Sequence, residues 1–142
     1  MGSFSTFVLC LLISVVFASL FTVQGKPFQS PPITVNITNA LKGQNNQLTV
    51  HCKSGDDDLG VHQLPHLISY AFTFRPNFWG STLFYCTFQW PGWTHYFDIY
   101  KDSRDRTRCN ETLCLWIVGE EGICMFNYGT KKYDICYTWL AK

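Results

Sequence analysis

Six cysteines follow an apolar amino-terminal run, and no other feature limits the fold of this chain so strongly. The sequence holds seven cysteines in 142 residues. Cys10 falls within the apolar run from Phe7 to Leu20, which leaves Cys52, Cys86, Cys109, Cys114, Cys124 and Cys136. The run has the length of a signal-peptide core and is short for a bilayer span. Val23-Gln24-Gly25 supplies β-branched and small residues at the −3 and −1 positions of a cleavage site. Residues 1–25 therefore read as a signal peptide and residues 26–142 as one secreted, extracellular domain, not membrane-inserted after cleavage. An even number of cysteines in a small exported domain reads as three disulfides, each contributing about 2–4 kcal/mol.

Charge narrows the partners. The 11 Lys and Arg and the 10 Asp and Glu all lie beyond residue 25, and the formal net charge is +1. Near-neutrality without a basic or acidic tail gives no reason to expect nucleic acid or an anionic membrane surface. The domain is expected to be a monomer. Two glycosylation sequons, Asn36-Ile37-Thr38 and Asn110-Glu111-Thr112, suit the same compartment.

Apolar alternation with period two runs through most of the domain. Ile33, Val35 and Ile37 alternate with Thr34, Asn36 and Thr38, which places the Asn36 sequon on a solvent face. Leu48, Val50 and Cys52 share one side of a second segment. Ile68, Tyr70, Phe72 and Phe74 share one side of a third, and Phe84, Cys86 and Phe88 of a fourth. His95, Phe97 and Ile99 oppose Tyr96, Asp98 and Tyr100; Cys114, Trp116 and Val118 oppose Leu115 and Ile117. Segments Ile123–Tyr128 and Tyr133–Trp139 flank the short loop Gly129-Thr130-Lys131-Lys132, the pattern of a hairpin. Turn residues separate most segments. About eight short strands, several apolar on both faces, predict an all-β fold: a small antiparallel β-sandwich held by disulfides. The last hairpin is symmetric about Thr130, so Cys124 is expected opposite Cys136. Cys52, Cys86, Cys109 and Cys114 then pair among themselves in an order the spacing leaves open.

Few residues offer chemistry. Asp56-Asp57-Asp58 is contiguous, whereas a calcium loop alternates its carboxylates and ends on a distal glutamate; it reads as a hydrated turn. His62 and His66 are separated by Pro65 and lack a third ligand for zinc. No nucleophile elbow or phosphate-cradling glycine loop is present. No catalytic residue, cofactor or metal is expected, and the chain does not read as an enzyme. Surface recognition remains. Trp90-Pro91-Gly92-Trp93 spans a turn and is the best candidate for an exposed aromatic pair, Trp90 with Trp93. Trp116 and Trp139 lie within strands and read as core. Lys101-Asp102-Ser103-Arg104-Asp105-Arg106-Thr107-Arg108 is the most polar stretch and reads as a recognition loop through Lys101, Arg104, Arg106 and Arg108.

Several ordered motifs resemble the plant self-incompatibility protein family, the S-protein homologues. They are Val35-Asn36-Ile37-Thr38-Asn39, Leu48-Thr49-Val50-His51-Cys52-Lys53-Ser54 with Asp57-Asp58-Leu59-Gly60, and Phe72-Thr73-Phe74-Arg75-Pro76-Asn77-Phe78-Trp79. Thr82-Leu83-Phe84-Tyr85-Cys86-Thr87-Phe88-Gln89-Trp90, Cys114-Leu115-Trp116, Gly122-Ile123-Cys124 and Tyr137-Thr138-Trp139 complete the set. The resemblance runs from about Val35 to Trp139. It implies a small secreted β-sandwich without enzymatic activity. The best understood members are stigma-secreted ligands that a membrane protein on incompatible pollen recognises, with calcium entry and arrest of the pollen tube. Cys52, Cys86, Cys109 and Cys114 match the cysteines of those ligands; Cys124 and Cys136 are found in many other homologues instead.

The reading that results is a secreted cysteine-rich signalling ligand, recognised by a cell-surface membrane protein through the loops at Lys101–Arg108 and Trp90–Trp93. Rejection of self pollen is one role such a ligand serves. The rival readings are a carbohydrate-, wall-binding or defence module that uses Trp90 or Trp93, and a small secreted hydrolase.

Overall fold

The structure is a computed structural model that describes residues 3–20, 25–43, 45–110 and 112–139. Val23 and Gln24 of the cleavage motif and Glu111 of the second sequon lie outside the described residues. The apolar amino-terminal run forms a helix, α1 (Ser3–Leu20). Among the described residues no helix is long and apolar enough to cross a membrane.

Among the described residues nine strands follow: β1 (Ile33–Asn39), β2 (Leu48–Lys53), β3 (Asp58–Leu64), β4 (Ser69–Phe74), β5 (Leu83–Trp90), β6 (Trp93–Lys101), β7 (Leu113–Val118), β8 (Gly122–Asn127) and β9 (Lys132–Thr138). One helical turn, α2 (Asp102–Asp105), separates β6 from β7. Two sheets face each other, a five-stranded one in the order β4-β1-β7-β8-β9 and a four-stranded one in the order β3-β2-β5-β6. Period-two alternation sets which side chains enter the space between them. Ile33, Val35 and Ile37 from β1, Cys114, Trp116 and Val118 from β7, and Ile123 and Met125 from β8 fill it from one side. Leu48, Val50 and Cys52 from β2 and Phe84, Cys86 and Phe88 from β5 fill it from the other. Asn39 joins this core because every polar contact it needs is supplied: its Nδ2 donates to the carbonyls of Asn46 and Leu64, both at 2.8 Å, and its Oδ1 accepts from the Leu41 N–H.

Two features depart from the antiparallel eight-strand expectation. β1 pairs with β7 in parallel, Val35 opposite Cys114, while every other pairing is antiparallel. Alternation specifies faces, not strand direction, and β1 is an interior strand of its sheet, between β4 and β7. The additional strand is β3. Its apolar signal is weak because it is an edge strand that buries only Leu64 among its residues and carries Gly60 at φ +77°. His62 nevertheless stacks on Tyr70 of β4 with ring centroids 3.7 Å apart, which closes that side of the sandwich.

Three disulfides staple the sheets internally. Cys52–Cys86 joins directly opposed residues of β2 and β5 and is fully buried. Cys109–Cys114 closes the short connection from α2 into β7. Cys124–Cys136 joins opposed residues of β8 and β9, across the last hairpin. There β8 and β9 approach so closely that a Cβ at Gly122 would collide with the Tyr137 carbonyl oxygen.

Candidate functional site

The charged stretch after β6 folds inward. Asp102 and Asp105 are 7% and 0% exposed. A buried carboxylate persists only when paired and hydrogen-bonded, and both are. Asp105 accepts from the Nε and Nη2 of Arg104, each at 2.7 Å, and from the Lys101 backbone N–H at 2.8 Å. The Arg104 guanidinium lies 5.0 to 5.6 Å from the ring centroids of Phe97, Trp116 and Tyr137, and it also donates to the Asp98 carbonyl. Burial opposes its charge, but the hydrogen bonds and charge of Asp105 hold it above the ordinary arginine value. Asp102 accepts from the Tyr100 hydroxyl at 2.7 Å and from Arg106 Nε at 3.1 Å. Burial first, then the bond to Asp102, pushes the Tyr100 hydroxyl far above its ordinary value. Two of the four basic residues expected to form a recognition loop are thus drawn into ion pairs with buried carboxylates. Arg104 is a structural clamp, Arg106 is tied to Asp102, and only Lys101 and Arg108 of the four stand exposed. Arg108 reaches back to the Tyr137 hydroxyl at 2.8 Å.

Of the expected exposed pair Trp90 and Trp93, the structure corrects Trp90 and leaves Trp93 exposed. Trp90 continues the inward parity of Phe84, Cys86 and Phe88 and is only 9% exposed, with its ring against Trp139 and His95. Trp93 sits opposite it across the β5–β6 turn, but at the rim, 56% exposed and stacked on His95.

A different aromatic pair is displayed. Phe78 and Trp79, in the loop between β4 and β5, are 71% and 85% exposed, edge to face at 5.5 Å. They occupy the middle of a turn closed by the Gly80 N–H on the Asn77 carbonyl. The Asn77 side chain bonds Ser81 twice, and the Asn77 N–H bonds the Thr82 hydroxyl at 2.8 Å. Gly80 supplies the φ of +70° that the turn requires, and a Cβ there would meet an Asp102 carboxylate oxygen at 3.1 Å. The Asp102 N–H donates to the Thr82 carbonyl at 3.0 Å. The clamp thus holds the base of the loop while its aromatic tip stays free. Nothing local in the sequence distinguishes its two aromatics from core residues.

Across a groove of about 720 Å³ from this loop lies the acidic turn. Asp58 accepts from His51 Nε2 at 2.6 Å and pairs with Lys53 at 3.3 Å. The His51 bond first, then the Gly60 N–H, holds its carboxyl down at about 2. Ser54 Oγ accepts the N–H groups of Asp56 and Asp57, whose carboxylates are left exposed. Among the described residues no group of three or more His, Cys, Asp or Glu is placed to hold a metal ion. Asn36 is half-buried between β4 and β7, and Asn110 is exposed on the connection into β7 with φ +47°.

A mixed five-stranded sheet, an antiparallel four-stranded sheet and three internal disulfides define a small disulfide-stapled β-sandwich. The family model for plant self-incompatibility protein S1 matches residues 34–139. S-protein homolog 2 of Arabidopsis thaliana is 45% identical over 117 residues, covering 79% of this chain and 71% of its own. S-protein homolog 3 of the same plant is 41% identical over 134 residues, covering 93% and 88%. A solved structure of self-incompatibility protein homologues, described as small, highly stable, secreted proteins from plants, superposes with a TM-score of 0.58 at 18% identity. It covers 79% of this chain and 97% of its own, which shows the shared fold. The chain belongs to the plant self-incompatibility protein S1 family.

Proposed function

We propose that this chain is a secreted, non-enzymatic signalling ligand that a cell-surface protein recognises through the Phe78–Trp79 tip. Family membership supports the class, and the tip supports the surface. A pair of large rings, 71% and 85% exposed on a turn that satisfies its own hydrogen bonds, is the observation that carries the reading. Exposed aromatics on a rigid support lose little conformational freedom on docking and dominate protein interfaces. Asp56 and Asp57 across the groove add a charged rim. In this reading residues 1–25 are removed on export, Asn36 and Asn110 carry glycans, and the ligand acts as a monomer. Recognition of self pollen in the pistil is one instance of the same role.

The test is binding of the labelled, disulfide-intact protein to protoplasts and pollen tubes. Saturable binding that disappears after surface proteolysis of the cells is the expected result. Binding that never saturates, or that survives proteolysis, overturns the reading. Amino-terminal sequencing of the secreted protein is expected to begin at Lys26.

A further inference from the structure

We propose a second binding site, for a short uncharged saccharide, in the cleft between the free edges of β6 and β9. It is independent of the receptor reading and lies on other residues. β6 and β9 are the terminal strands of the two sheets on the same side of the sandwich, joined there by packing of Phe97 against Tyr137 at 5.1 Å and of His95 against Trp139 at 4.5 Å. The cleft they flank measures about 780 Å³, within the ~300–1,000 Å³ range of small-molecule sites.

Its lining sets the ligand class. Gln89, Thr94, His95, Tyr96, Thr138 and Trp139 are among the residues that line it, and among the described residues no Lys, Arg, Asp or Glu does. Arg104 is paired with Asp105, and Arg108 donates to the hydroxyl of Tyr137 from outside the lining. A charged ligand would find no Lys, Arg, Asp or Glu among those lining residues to fix it. The rings of Trp93, His95 and Trp139 form a near-parallel stack beside it, with interplanar angles of 14° and 12°. Trp93 at its outer end is 56% exposed, and Tyr96 is 75% exposed. A sugar ring offers a C–H face to such π-surfaces and hydroxyls around its rim. Gln89 supplies two donors and an acceptor, and Thr94 and Thr138 supply hydroxyls that do either. An added peptide strand fits less well. Arg104 already caps the Asp98 carbonyl, and β6 slips register with β5 in that stretch, so only a short straight edge remains.

The test is calorimetric titration of the disulfide-intact secreted protein with hexamers of β-1,4-linked glucose, mannose and xylose. Hexagalacturonate serves as the charged counterpart and an extended alanine-rich hexapeptide as the strand probe. At least one neutral hexamer is expected to bind. Tyr96→Ala is expected to weaken that binding roughly tenfold, the worth of one good ring contact, without change in melting temperature. Trp79→Ala is expected to leave it unchanged. No binding by any neutral hexamer at millimolar concentration overturns the proposal. Binding indifferent to both Tyr96→Ala and Gln89→Ala overturns it too, as does preference for hexagalacturonate or the hexapeptide.

Discussion

The segment from Lys101 to Arg108 and the loop from Arg75 to Thr82 meet at one end of the sandwich, yet they place their conspicuous residues in opposite ways. The first is dense in charge and sends Asp102, Asp105 and the Arg104 guanidinium inward. The second is rich in aromatic surface and sends Phe78 and Trp79 outward. The difference lies in what each backbone can satisfy. In α2 the charges neutralise one another within one helical turn and find the rings of Phe97, Trp116 and Tyr137 to cover them. In the loop, Asn77, Ser81 and Thr82 saturate the turn locally, so the two rings are not drawn inward to satisfy it. Charge density in a sequence therefore marks a clamp here, while the exposed rings sit on an uncharged tip.

Substitutions can break that contrast. The largest effect is expected at Asp105→Ala, which strands the Arg104 guanidinium among aromatic rings; removing one member of a buried pair costs about 3–5 kcal/mol. Chemical denaturation measures it. Removing the neighbouring Cys109–Cys114 bridge by paired alanine substitution is expected to cost about 2 kcal/mol, since the bridge closes a short loop. Arg108→Ala loses one exposed hydrogen bond to Tyr137 and is expected to cost about 1 kcal/mol or less.

Acid probes the turn facing the loop. The Asp58 carboxyl is held at about 2 against an ordinary value of 3.8. A depressed carboxyl stabilises the fold fully above its unfolded value, and that contribution is lost as pH falls through the folded one. Stability is thus expected to decline from about pH 4 towards pH 2, and Asp58→Asn is expected to flatten that limb of the melting-temperature profile. The smallest effect on stability is expected at Trp79→Ala, within about 0.5 kcal/mol, because the ring covers almost nothing.

Much of the fold was legible from period two alone. The inward sets of β1, β2, β5 and β7 follow directly from alternation, and the symmetry of the last hairpin points to the Cys124–Cys136 pairing that the structure contains. The same rule, extended two residues past Phe88, puts Trp90 inside; the Pro91-Gly92 turn beside it suggested exposure instead. β3 escaped because an edge strand with Gly60 and exposed polar residues carries little alternation. The parallel pairing of β1 with β7 and the cage around Arg104 depend on contacts between residues far apart in sequence, for which no local pattern exists. The Phe78–Trp79 tip was hidden for the opposite reason: two adjacent aromatics read like any other core segment until the turn beneath them is seen.

The most direct test compares the two regions in one cell-surface binding experiment, with melting temperature followed alongside. The double variant Phe78→Ala/Trp79→Ala is expected to lose binding at least roughly tenfold at unchanged stability, while Lys101→Ala/Arg108→Ala stays within about twofold of the parent. Loss of binding in the Lys101 and Arg108 variant, with full binding by the variant lacking Phe78 and Trp79, would contradict the assignment of the aromatic tip as the recognition surface.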